Sequence, residues 1–244
     1  MRRLRDVFYI NANFPESYFL YYGMEFKEFI KHSPVELENI LVTDGNYITN
    51  NFNRSWFFET ANGKEDIFEL SKEDIYGLGN FHWIDYINEA ALNNCTPEEK
   101  AEVLYLSHFG KPLKSPFFTG INNNFVYLAH DDGWVCKLYC KDMSVFKDII
   151  ANKIIDNVST NKRRKIYPIN EEIKDELFEL TKKGLLIDFS NTHRDKQSIS
   201  LNFYAIGSFT DMDEMYNNLE RNKCKADIKG TIEHKSKTWR IYIH

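Results

Sequence analysis

The chain has 244 residues, 43% of them apolar and 27% charged, a globular composition that excludes a disordered tail and a coiled coil; by length it holds one to two domains. The formal net charge of −5 speaks against a whole-chain nucleic-acid binder, although the balance is uneven. Residues 1–156 carry 15 Lys+Arg against 23 Asp+Glu and residues 157–244 carry 16 against 13, so an acidic part precedes a mildly basic one.

The opening residues 1–10 have a basic head, but their apolar run is too short for a secretory signal and no small-residue cleavage site follows, so residues 4–10 read as a strand. No stretch reaches the roughly 18 apolar residues of a membrane helix. Cys95, Cys136, Cys140 and Cys224 make no disulfide scaffold and contain no C-x-x-C, which gives the cytoplasm as the expected compartment. Residues 25–32 read as a short helix stopped at Ser33-Pro34, and 40–43, 47–49 and 55–59 as short strands between the turn signals Asp44-Gly45 and Asn62-Gly63. Thr96-Pro97-Glu98-Glu99 is a capping box with proline at the first helical position. It opens a helix whose apolar face is expected at Ala101, Leu104, Tyr105 and His108, with Gly110 as its stop.

The clearest element is a hairpin over 125–140 around Asp132-Gly133, in which Phe125 faces Cys140. One face then carries Phe125, Tyr127, Ala129, Cys136, Leu138 and Cys140, all suited to a core. The other carries Val126, Leu128, His130, Val135, Lys137 and Tyr139, which is mixed. An amphipathic helix over 142–155 follows, and residues 157–165 break the apolar pattern.

The expected organisation is an N-terminal α+β domain with antiparallel strands over 1–156, a linker over 157–164, and a second domain over 165–244. In the second, 165–169 read as a strand, Asn170 caps a helix ending at Gly184, 185–189 and 199–205 read as strands, Thr210 caps a helix, and 226–234 with 238–243 form a hairpin. That order, β-α-β-β-α-β with one strand more, is the split-βαβ, ferredoxin-like arrangement. The helix end Asp175-Glu176-Leu177-Phe178-Glu179-Leu180-Thr181-Lys182-Lys183-Gly184, the run Asn202-Phe203-Tyr204-Ala205 and the closing Thr238-Trp239-Arg240-Ile241-Tyr242 resemble the ribonuclease E regulator B family. The resemblance covers about 75 residues. It implies a ferredoxin-like fold that acts by binding another protein, and it carries no catalytic motif.

Candidate chemistry is sparse. His130-Asp131-Asp132 is the most tempting acid–base or metal cluster, yet neighbours on a strand point to opposite faces and Asp132 belongs to the turn, so a partner such as His82 or His108 is required. Cys136 and Cys140 lie about 13 Å apart along one strand and read as packing thiols. His108 reads as a structural histidine and Phe81-His82-Trp83 as a core segment. Phosphate-loop, dinucleotide, nucleophile-elbow and zinc signatures are absent, and no metal or cofactor is expected. The sequence therefore favours a non-catalytic module that binds another protein. Two other readings remain open. One is an enzyme or small-ligand binder in the N-terminal part, where His82, Trp83, His108, Tyr127, His130, Asp131 and Trp134 would line a pocket. The other is an RNA contact through Lys162-Arg163-Arg164-Lys165 and the C-terminal basic residues. Partner and oligomeric state are not encoded in these patterns.

Overall fold

The computed structural model describes residues 6–45, 51–72, 79–130, 134–159 and 165–244. Among them run twelve strands: β1 (Val7–Asn13), β2 (Tyr18–Tyr22), β3 (Asn39–Asp44), β4 (Asn51–Asn53), β5 (Phe58–Asn62), β6 (Phe81–Asp85), β7 (Phe125–His130), β8 (Val135–Cys140), β9 (Leu185–Arg194), β10 (Ser198–Ala205), β11 (Ile228–Lys235) and β12 (Thr238–Ile243). Their helices are α1 (Phe26–His32), α2 (Gly63–Lys72), α3 (Glu89–Asn94), α4 (Pro97–Phe109), α5 (Val145–Val158), α6 (Glu171–Leu180), α7 (Met212–Asn217) and α8 (Leu219–Lys225). The strands form one sheet in the order β12-β11-β10-β9-β1-β2-β8-β7-β6-β3-β5-β4, antiparallel at every pairing. The α+β class expected from the sequence holds.

Strand alternation explains the layers. On one face Phe8, Ile10, Phe19, Tyr21, Trp83, Phe125, Tyr127, Cys136 and Leu138 point into the largest core, covered by α1, α2, α5 and α6. That core runs without interruption from Phe8 to Trp239 and takes in residues on both sides of 157–164. The opposite face is covered twice. Leu92 of α3 with Val103 and Leu106 of α4 closes over Leu41, Ile84, Val126 and Leu128. Met212, Met215 and Leu219, from α7 and α8, close over Val7, Tyr9 and Leu186. Between these two lids lie β2 and β8.

The hairpin over 125–140 has the expected register, Phe125 opposite Cys140 and His130 opposite Val135; its turn, with Asp131, lies outside the described residues, as do 47–49. Four expectations need correction. First, α4 buries Val103 and Leu106, and Leu104 is 51% exposed. The helix carries two apolar stripes, and the Ser107 hydroxyl, which donates to the Thr43 carbonyl, fixes which one faces the sheet. Second, 55–57 form a turn, because Asn53 Oδ1 accepts from the Ser55 and Trp56 amides and Trp56 is drawn beneath α3 to donate to the Leu92 carbonyl. Third, Asp211 and not Thr210 caps α7, accepting from the Asp213 and Glu214 amides. Fourth, 165–169 form no strand. Pro168 has no amide to donate, the Tyr167 carbonyl accepts from Trp239 Nε1, and the place beside β9 is taken by β1. The split-βαβ order expected over 165–244 therefore lacks its opening strand, and β9 to β12 run as an antiparallel meander.

Candidate functional site

The two lids cover the middle of one sheet face only in part, Tyr18 and Tyr139 packing against one lid and Leu20 against the other. Asn13 ends β1, residues 14–17 turn, and β2 returns with Tyr18 and Leu20 on the same face as Lys137 and Tyr139 of β8, in the register Tyr18 opposite Tyr139 and Leu20 opposite Lys137. These five side chains are half-buried or, for Tyr139, buried at the margin, whereas Phe19, Tyr21, Cys136 and Leu138 on the opposite face are fully buried. Above this floor is a groove of about 700 Å³ lined by Asn11, Asn13, Phe14, Leu20, Lys182 and Phe209, among others. A second hollow of about 480 Å³, lined by Glu16, Lys114, Phe117 and Tyr139, lies beyond Tyr18 and shares Pro15 with the first.

Both walls are fixed by buried polar contacts. On one side Asn123, fully buried, accepts from the Phe118 amide and donates to the Pro116 and Phe125 carbonyls. Asp85 holds the next turn by accepting from the Asn124 and Phe125 amides. Burial raises the Asp85 carboxyl to about 6, against the lowering by these donors. On the other side Tyr9 donates to the Gly207 carbonyl at 2.8 Å and Gly207 to the Lys183 carbonyl. Gly184 has a φ of +68°, and a Cβ there would meet the Gly207 carbonyl oxygen at 1.9 Å, so this wall requires glycine.

On the same sheet face, opposite Leu20, Lys137 Nζ lies 4.1 Å from the Tyr18 ring centroid and 4.9 Å from that of Tyr139. The Tyr18 hydroxyl accepts from Asn13 Nδ2 at 3.1 Å, which fixes the ring beneath the ammonium. Burial pulls the Lys137 pKa down, Glu16 raises it and Lys111 lowers it further. Ring faces attract a cation through their quadrupole but accept no strong hydrogen bond.

The structure brings two of the sequence candidates together elsewhere. His82 of β6 is 2% exposed, and its ring meets that of His130 edge-on at 4.8 Å. His82 Nδ1 stands 3.7 Å from Asp44 Oδ2, Asn80 Nδ2 donates to the same oxygen at 3.3 Å, and Asn80 Oδ1 lies 3.1 Å from His130 Nδ1. Gly110, in the left-handed region at the end of α4, covers the pair; a Cβ there would sit 3.3 Å from His130 and 3.4 Å from His82. Burial, then His130, lowers the His82 pKa to about 4 against the pull of Asp44, and burial also lowers that of His130. Both rings are therefore neutral near pH 7, and His82 is too enclosed to meet a substrate.

The other candidates disperse. Trp83 is stacked on Tyr127 at 5.0 Å in the core of the opposite face. His108 is exposed on α4 against Phe109, not structural as expected. Trp134 borders the α7–α8 lid, and Asp131 is not among the described residues. Among the described residues no cluster of three or more His, Cys, Asp or Glu could hold a metal ion, and no helix is long and apolar enough to cross a membrane. Sequence reasoning missed Asn13, Tyr18 and Leu20, because nothing local marks 18–22 as a strand paired with β8. The one available signal was the mixed face of the hairpin, which carries Lys137. No family model, curated protein or solved structure matches the chain.

Proposed function

We propose that this chain is a non-catalytic binding module that acts through protein–protein contact, with the groove over β1, β2 and β8 as its contact surface. The observation that carries this reading is the partly covered stretch of sheet: helices close both faces on either side of β2 and β8, yet Tyr18, Leu20 and Lys137 stay half-exposed between the two walls. Mixed aromatic and polar lining of this kind suits a protein contact. The pocket reading loses its residues, since Trp83 and Tyr127 lie on the opposite face from His82 and His130. The RNA reading loses part of its basic face: Lys223 is buried against Asp188 at 2.5 Å, Lys229 donates to the Cys224 carbonyl, and Glu233 stands between the basic residues. All four thiols are free, which agrees with a cytoplasmic setting.

Hydrogen exchange of the chain, alone and with a partner captured from nuclease-treated lysate of the source cell, tests this. Slowed exchange over 13–20 and 134–139 is the expected result. Protection confined to other segments, or a groove variant Leu20→Trp that binds the partner as well as the native chain, would remove the groove from the reading.

A further inference from the structure

Four lysines that are buried or half-buried elsewhere in this protein meet carboxylates, whereas Lys100 lies over the Trp56 ring and Lys229 donates to the Cys224 carbonyl. Lys153 reaches Glu28 at 2.6 Å, Lys174 reaches Asp148 at 2.6 Å, Lys223 reaches Asp188 at 2.5 Å, and Lys147 reaches Asp175 at 2.5 Å. Lys137 does not. Among the described residues its ammonium has two tyrosine rings beneath it and no carboxylate at ion-pair distance. Glu16 is the acidic group whose field it feels, and Lys111 adds a second positive charge against it. A half-buried ammonium has lost part of its hydration, and ring faces replace that hydration incompletely.

The groove also has the shape and lining for an extended chain. The first hollow is lined by Phe209, Lys182, Leu20 and Tyr18 and mixes these with Asn11, Asn13, Ser208 and Thr210; the second, which shares Pro15 with it, is lined by the 112–117 wall. Lys182, which is paired with Glu179 at 2.5 Å, stands 5.0 Å over the Phe14 ring at one end, and Lys137 lies over Tyr18 further along.

Resting on the groove as contact surface, we propose that its occupant is an extended, acidic and aromatic protein segment, one of whose carboxylates completes the ion pair that Lys137 lacks. An RNA strand fits less well, since it would bring a phosphate for every base, whereas Lys137 is one ammonium over its two rings and Lys182 is already paired with Glu179.

The test uses the full chain and fluorescein-labelled decamers read by anisotropy, one alternating Glu and Tyr, one alternating Gln and Tyr. The Glu decamer is expected to bind, more weakly as salt rises, and Lys137→Met, which keeps the apolar stem, is expected to lose about tenfold or more in affinity. Lys137→Arg should retain binding, and Lys72→Met, on the opposite layer, should change nothing. Unchanged thermal melting of each variant shows that it folds. Equal binding of the Glu and Gln decamers, both lost in Leu20→Trp, would overturn the acidic occupant and leave the groove as a contact surface. Binding of the Glu decamer that survives both Lys137→Met and Leu20→Trp, no binding up to about 1 mM, or tighter binding of a uridine decamer that depends on Lys137 would each overturn the proposal. The hydrogen-exchange experiment decides the groove itself independently.

Discussion

A histidine buried without a strong hydrogen-bond partner carries its cost into the pH dependence of folding. His82 has an ordinary pKa of 6.5 when unfolded and about 4 in the fold, lowered by burial and by His130. Above pH 6.5 it is neutral in both states and contributes no pH dependence. As the pH falls from 6.5 toward 4 the unfolded chain takes the proton first, so stability is lost through that window and the loss levels off below it. The full loss is roughly 3 kcal/mol for this ring. His130 and His32, also lowered by burial, add in the same direction. Urea titrations across this window should show stability falling with acidity, and His82→Gln should flatten the slope without abolishing it. A slope unchanged by the substitution would show that the ring is not held neutral by the fold. At the same scale, Gly184→Ala places a methyl group on the Gly207 carbonyl at a positive φ and should cost more than 1 kcal/mol, with the loss read by melting. Both histidines could be named from the sequence, but their contact could not, because it lies diagonally between β6 and β7 and joins residues 48 positions apart in the chain.

Elements were legible wherever a local signal was self-sufficient. The capping box at Thr96 is present as read, with the Thr96 side chain accepting from the Glu99 amide and Glu99 from that of Thr96, and the hairpin of β7 and β8 has its expected faces. The face of α4 was misread because Leu104 and Tyr105 look as apolar as Val103 and Leu106, and only the tertiary bond from Ser107 to Thr43 separates the two stripes. Denaturant unfolding gives a direct check. Leu106→Ala should destabilise by about 2–5 kcal/mol, Leu104→Ala should stay within about 0.5 kcal/mol of the native chain, and Thr96→Ala should cost about 1 kcal/mol through the lost cap. Equal effects of the two leucine substitutions would mean that α4 does not seat on the sheet through Val103 and Leu106.

Pairing between distant segments is the level at which the sequence is silent. The apolar run Leu185-Leu186-Ile187 marks β9 as a strand, but nothing in it says that its neighbour is the first strand of the chain. The resulting order places β1 between β2 and β9, so the N-terminal residues form the seam on which both halves of the sheet depend. Phe8 and Ile10 of that seam share one core with Phe146 of α5, Leu177 of α6 and Ile187 of β9. Two parts joined only by a linker at 157–164 would unfold separately. A shared strand and a shared core couple them, because opening either part exposes the apolar surface of the other. Chemical unfolding followed by circular dichroism and by tryptophan fluorescence is therefore expected to give coincident transitions, although Trp83 and Trp239 report from opposite halves. Ile187→Ala, which opens a cavity on the C-terminal side of the seam, should shift both probes together by about 2–5 kcal/mol. Probes that separate, with Trp83 unmoved while the C-terminal half melts, would mean that β1 and β9 pair too weakly to bind the two halves into one unit.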